Sequence, residues 1–224
     1  MHGRLFVARA AVALSLLLGL SFAAPARAEP CCGRITPDGQ RLAALLDRSG
    51  VEHLWQPHVH IDWLTGEPDP DRPGWSPNAT HCSSYAAAMA DRMGVYLLRP
   101  PEHGQDLLAN AQFRWLEGQG EEAGWKEVDA KTAQSLANQG SLVVAVYENP
   151  DPGRPGHIAV IRPSEKTPAA LEAEGPEEAQ AGRHNALSIP VAQGFAGHDG
   201  GWEPGGTGGL RFFAHAVDWA RLPQ

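Results

Sequence analysis

Two short apolar runs constrain this chain more than anything else in it. Leu142-Val143-Val144-Ala145-Val146-Tyr147 is unbroken in apolar residues, and His157-Ile158-Ala159-Val160-Ile161 is a second run opened by a histidine. Continuous apolar stretches of this length read as buried strands. The Pro/Gly-rich segment from Asn149 to Gly156 joins them, which predicts a hairpin. The pattern upstream is helical. Thr36-Pro37 is a helix start, with Thr36 as N-cap and Pro37 at the first helical position. Leu42, Leu45 and Leu46 continue it at helical spacing toward Ser49-Gly50. A proline- and aspartate-rich loop spans Thr65 to Pro77. A second helix from about His81 to Met93 ends at Gly94, with Cys82, Ala86, Met89 and Met93 on one face. A third is expected over Gln105 to Glu117. A fourth runs from Asp129 to Asn138, stopped by Gly140. Helices first and antiparallel strands afterwards predict an α+β class. Glu172 to Gly182 is ambiguous: Gly175-Pro176 forbids one continuous helix, leaving a surface strand or a linker. Leu210 to Ala214 reads as a final strand.

The first residues read as a secretory leader. Arg4 and Arg9 precede the apolar stretch Ala10 to Leu20, which is too short to span a bilayer, and Ala26-Arg27-Ala28 fits a cleavage site. The expected division is a leader over 1–28 and one domain over 29–224. A periplasmic or secreted location of bacterial type follows. The chain has 224 residues and a net charge of -8. All 26 acidic residues but only 15 of the 18 basic ones lie beyond the leader, so the remainder carries about -11. That balance argues against nucleic acid and anionic membrane surfaces as partners and tolerates a neutral or cationic substrate. Asn78-Ala79-Thr80 matches a glycosylation sequon, a frequent chance match.

Three cysteines do not make a disulfide scaffold. Cys31 and Cys32 are adjacent. They could pair with each other, with another chain, or stay reduced, and a bridge from either to Cys82 would block chemistry at Cys82. Cys82 itself opens a small-residue helix, in Thr80-His81-Cys82-Ser83-Ser84-Tyr85-Ala86-Ala87-Ala88. Orphan N–H groups and the positive end of the helix dipole favour a thiolate there, and a nearby imidazole completes a nucleophile–base pair. The competing reading is a buried, inert cysteine. Against it, His81, Cys82, Ser83 and Ser84 form a polar cluster where a core helix is ordinarily apolar. His157 has a plain reading as a turn residue. Gly156 beside it removes a side chain where a substrate would approach.

Cys82 at the start of an Ala-rich helix, followed by Gly156-His157-Ile158-Ala159-Val160-Ile161, resembles the papain-like superfamily, in particular NlpC-type cell-wall peptidases and CHAP-type amidases. The resemblance covers roughly Asn78 to Asn185 in two short motifs. It implies a papain-like α+β fold, with N-terminal helices packed on a small antiparallel sheet. It also implies hydrolysis of an amide in peptidoglycan through a thioester. Carried over, Cys82 is the nucleophile and His157 the general base. Those families place a polar residue on the next strand to orient the imidazole. Gln180 is the choice here, with Asn185, Gln193 and His198 as alternatives. Asn78 and His81 are candidate donors beside the nucleophile, with helix capping as the plain alternative, and Asn185 is a further substrate or oxyanion candidate. No cofactor is required. The expected partner is peptidoglycan or a peptide-like substrate. An immunity or inhibitor protein is not indicated either way.

Two rival readings stand beside this one. The same fold could serve as an inactive module that binds cell-wall peptide. His58-Val59-His60-Ile61-Asp62 alternates, so on a strand its three polar side chains would share one face and could ligate zinc, although Trp63 stands where a further histidine would complete the pattern. Those residues could instead line a cleft with Trp55, Trp63 and Trp75, whose rings would stack on sugars or simply pack. Acyl transfer to an amine is a third outcome of the same thioester. The amides Asn110, Gln112 and Asn138 are expected to satisfy loop backbone.

Overall fold

The computed structural model describes residues 29–72, 79–204 and 208–222. The expected leader, Trp75 and Asn78 lie outside them. Among the described residues the fold is α+β: six helices and one six-stranded antiparallel sheet. The helices are α1 (Pro37–Asp47), α2 (Cys82–Arg92), α3 (Leu108–Gly118), α4 (Ala130–Asn138), α5 (Pro168–Glu174) and α6 (Val191–Gly194). The strands are β1 (Lys126–Val128), β2 (Leu142–Tyr147), β3 (His157–Ile161), β4 (Glu177–Gln180), β5 (Ala186–Pro190) and β6 (Leu210–His215). Their order in the sheet is β1-β6-β2-β3-β4-β5.

Local chemistry explains most boundaries. The Thr36 hydroxyl accepts the Gly39 N–H, with Pro37 at the first helical position, and the Asp129 carboxylate accepts the Thr132 N–H at the start of α4. Gly94 follows α2 at φ +67, a conformation that costs a glycine nothing. β2 and β3 form the expected hairpin, with Tyr147 opposite His157 and Val144 opposite Val160. Both strands are buried along their whole length, and β2 lies between β6 and β3. Burying each valine of β2 contributes about 2 kcal/mol before entropy is counted.

Some elements differ from expectation. Cys82 through Ala90 are all buried, so α2 is a core helix with no exposed face. The run of alanines permits that close approach, and α2 packs on β3. α3 begins later than expected because Leu107 adopts a left-handed conformation, φ 51, which ends the preceding loop. Pro176 does break the Glu172 to Gly182 segment, but into the end of α5 and a strand, β4, whose last three residues are buried. It is neither a surface strand nor a linker. Asn138 bonds Gly33, Ser164 and Thr36 through side chain and backbone, Gln112 holds the carbonyls of Ser83 and Leu98, and Asn110 holds that of Arg154. The buried amides satisfy loop backbone, as expected.

Candidate active site

The helix start and the hairpin meet at Cys82. The backbone N–H groups of Ile158, Ser83 and Cys82 itself and the Thr80 hydroxyl stand close enough to its sulfur to favour the thiolate. The Ile158 donor places the sulfur against the residue next to His157 on β3. Cys82 is only 4% exposed, yet it lines a cleft of about 240 Å³ together with Thr80, Ser83, Gln105, Leu107 and Gly156. Its thiol is free: Cys31 and Cys32 are bridged to each other.

His157 opens β3 and is buried. Its Nε2 lies 2.5 Å from Oε1 of Gln180, on β4. The Gln180 Nε2 donates to the His184 carbonyl at 3.1 Å, which fixes the amide's orientation. An amide oxygen can only accept, so the His157 proton sits on Nε2 and its lone pair on Nδ1. That is the tautomer a general base needs. His198 stacks on the imidazole, centroids 5.1 Å apart and planes 9° from parallel, and Phe195 meets its edge at 4.7 Å. The Tyr147 hydroxyl, bonded to the Asp199 carbonyl, pins the turn that carries His198.

Burial dominates the electrostatics. It pushes the Cys82 thiol up, against the four donors around it. It pushes His157 down to about 3, with His198 acting in the same direction and Gln180 opposing. Burial therefore favours the neutral thiol and the neutral imidazole over the thiolate that the sequence suggested. Alkylation of Cys82 by iodoacetamide is accordingly expected to accelerate through the alkaline range. A rate already level near pH 6 would show a stable thiolate and overturn this assignment.

The remaining sequence candidates occupy other places. His81 is buried at the N-cap of α2, its Nε2 donating to the Val59 carbonyl at 2.9 Å, and burial lowers it to about 4. It ties the helix start to the 58–60 segment. Asn185 donates its amide to the carbonyls of Val51, Leu54 and Trp55, holding the turn after α1. No bond joins it to Cys82 or His157 among the described residues. Gln193 is exposed on α6, while His198 stacks on His157 without bonding it. Asn78 lies outside the described residues.

The alternation at 58–62 is not a strand. His58 sits at φ 72, and Asp62 caps a turn through the N–H groups of Leu64 and Thr65. Left-handed backbone at His58 breaks the two-residue period on which a shared face depends. Among the described residues no group of three or more His, Cys, Asp or Glu is placed to hold a metal ion. Trp55 is fully buried, edge-on to Tyr85, and donates to the Trp63 carbonyl. Its ring belongs to the core and offers no face to a sugar. Gly156 lines the Cys82 cleft, and a side chain there would collide with the Tyr147 carbonyl and Asn110 Oδ1. The hairpin itself demands glycine.

Sequence reasoning passed over the Thr80 hydroxyl, although its place two residues before Cys82 was a signal. The Ile158 N–H had no signal, since every strand residue carries one. The chain matches no protein-family model, and no curated protein matches it.

Proposed function

We propose that this chain is an exported, papain-like cysteine hydrolase that cleaves an amide bond in cell-wall peptide. One observation carries the reading: a free sulfur at a helix start, close to N–H and O–H groups that favour the thiolate, lies near the strand whose first residue is a histidine oriented by Gln180. The helix-against-antiparallel-strands arrangement is what a papain-like site requires. The apolar leader supports export. No helix among the described residues is long and apolar enough to cross a membrane.

In this mechanism the neutral pair reacts in one concerted sense. Nδ1 of His157 takes the thiol proton as the sulfur attacks the substrate carbonyl. The N–H groups at the start of α2, that of Cys82 among them, are the donors for the developing oxyanion. His157 then gives its proton to the departing amine, leaving a thioester. Water, deprotonated by the same imidazole, attacks the thioester, and the thiol is restored. Every step uses the chain's own groups.

The near-complete burial of Cys82 and His157 favours a second reading, a module that binds cell-wall peptide with its thiol unused. One assay separates them. Incubated with purified peptidoglycan, the protein is expected to release new amino groups of a single kind, and prior alkylation of Cys82 abolishes the release. Binding without new amino groups establishes the second reading and removes the first.

A further inference from the structure

Glu178 is fully buried on β4, and neither carboxyl oxygen has a hydrogen-bond partner among the described residues. An unpartnered carboxyl in a sheet interior costs stability, so its position calls for a reason. The register gives its surroundings. Ile161 pairs with Glu178 and Val160 with Ala179, so His157, Ile161, Glu178 and Gln180 project from one face of the sheet. Gly194, at the end of α6, covers that face. A side chain on Gly194 would collide with Oε1 of Glu178 and stand 3.1 Å from Oε1 of Gln180. The carboxyl and the amide that orients the imidazole thus converge on the same missing atom.

We propose that Glu178 is a positioning residue for His157, its carboxyl standing behind the Gln180 amide and setting how readily the imidazole takes up the Cys82 proton. This rests on Cys82 and His157 being the reacting pair. When the proton passes from sulfur to Nδ1, a positive charge forms on a buried ring that Gln180 meets only with a dipole. Neutral Glu178 adds no charge, and the thiol–imidazole form persists. Ionised Glu178, its proton lost to solvent, supplies the counter-charge on the imidazole side and favours imidazolium with thiolate.

Burial, with Glu177 adding to it, holds the Glu178 carboxyl neutral well above the ordinary carboxylate range, and Lys166 only partly offsets this. Lys166 itself bonds Glu174 of α5 and Glu177 of β4. β5 and α6 bring no titratable group, and β3 brings His157. α2, which also packs on β4, carries Cys82, Tyr85, Asp91 and Arg92, and His198 stacks on the His157 ring.

The test is the pH profile of Cys82 alkylation by iodoacetamide in wild type, Glu178→Gln, and each combined with His157→Ala. Wild type is expected to show one more ionisation than Glu178→Gln. The two rates agree on the acid side of the Glu178 ionisation and differ about tenfold on its alkaline side. The difference disappears in the His157→Ala background. Superimposable profiles, or a difference that survives without His157, overturn the proposal. Should Glu178→Gln fail to fold, infrared spectroscopy of wild type labelled with ¹³C-glutamate decides. The protonated-carboxyl band must vanish over the pH range in which thiolate rises, and a band unchanged through that rise overturns the proposal. Because alkylation needs no substrate, failure here is distinct from failure to cleave peptidoglycan.

Discussion

Cys82→Ala is expected to reduce peptidoglycan cleavage to background, and His157→Ala to lower kcat/KM by about 10³-fold, with the far-UV circular dichroism of both unchanged. The two differ for a physical reason. Without sulfur no thioester forms, and nothing else in the cleft is a nucleophile of comparable strength. Without the imidazole the sulfur keeps its four donors but must ionise unaided, and burial opposes that. General-base catalysis contributes about 10²- to 10⁴-fold in such sites, and here the base is also the acid for the leaving amine. Gln180→Ala removes the acceptor that keeps the proton on Nε2 and lets the ring turn. A loss of about 10- to 100-fold follows from misplacement alone. Gln180→Glu restores the acceptor and adds charge, so it recovers more than Gln180→Ala does. Full activity in Cys82→Ala would end the covalent mechanism. Equal activity in wild type and Gln180→Ala would end the orienting role of the amide.

How much of this was legible in the sequence depended on the range of the interactions. Thr36-Pro37, Asp129 and Gly94 act on backbone within a few residues, so their helix ends are written locally. The hairpin of β2 and β3 is equally local, with an apolar run on each side of a Pro/Gly turn. Gln180 was within reach because the family resemblance demanded a polar residue on the strand after the histidine, and its small neighbours fit close packing. β1 and β5 carried little signal. β1 is three residues long and largely exposed, and it exists because Lys126 to Val128 can pair with the edge of β6. β4 is Glu-rich and reads as surface until the sheet encloses it. Composition cannot show that Glu178 is buried, because the burial comes from Gly194, sixteen residues away, packing over it. The histidine alternation at 58–62 misled for the opposite reason: a two-residue period implies a shared face only if the backbone is extended, and at His58 it is not.

The same buried groups make stability depend on pH, with opposing signs. His157 is held near 3 and His81 near 4 in the folded chain, both from an ordinary 6.5. A group whose folded pKa is depressed binds fewer protons folded than unfolded across that interval. Its contribution is present above the unfolded pKa and is lost as pH falls toward the folded one. Each histidine therefore withdraws on the order of 3 kcal/mol between about pH 6.5 and 4. Glu178 acts the other way. Its folded pKa is raised above 4.5, so its contribution is complete below that value and declines as pH rises. Acidification thus unfolds the chain through its histidines while Glu178 partly compensates. In urea unfolding near pH 7 and pH 4, His157→Gln is expected to lose less stability on acidification than wild type by about 3 kcal/mol, and Glu178→Gln to lose more. His81→Gln should resemble His157→Gln in stability, because burial lowers both histidines and His81 is held through the Val59 carbonyl. Equal acid losses in wild type and His157→Gln would mean that the imidazole takes up its proton as readily in the folded chain as in the unfolded one, and that burial does not hold it neutral.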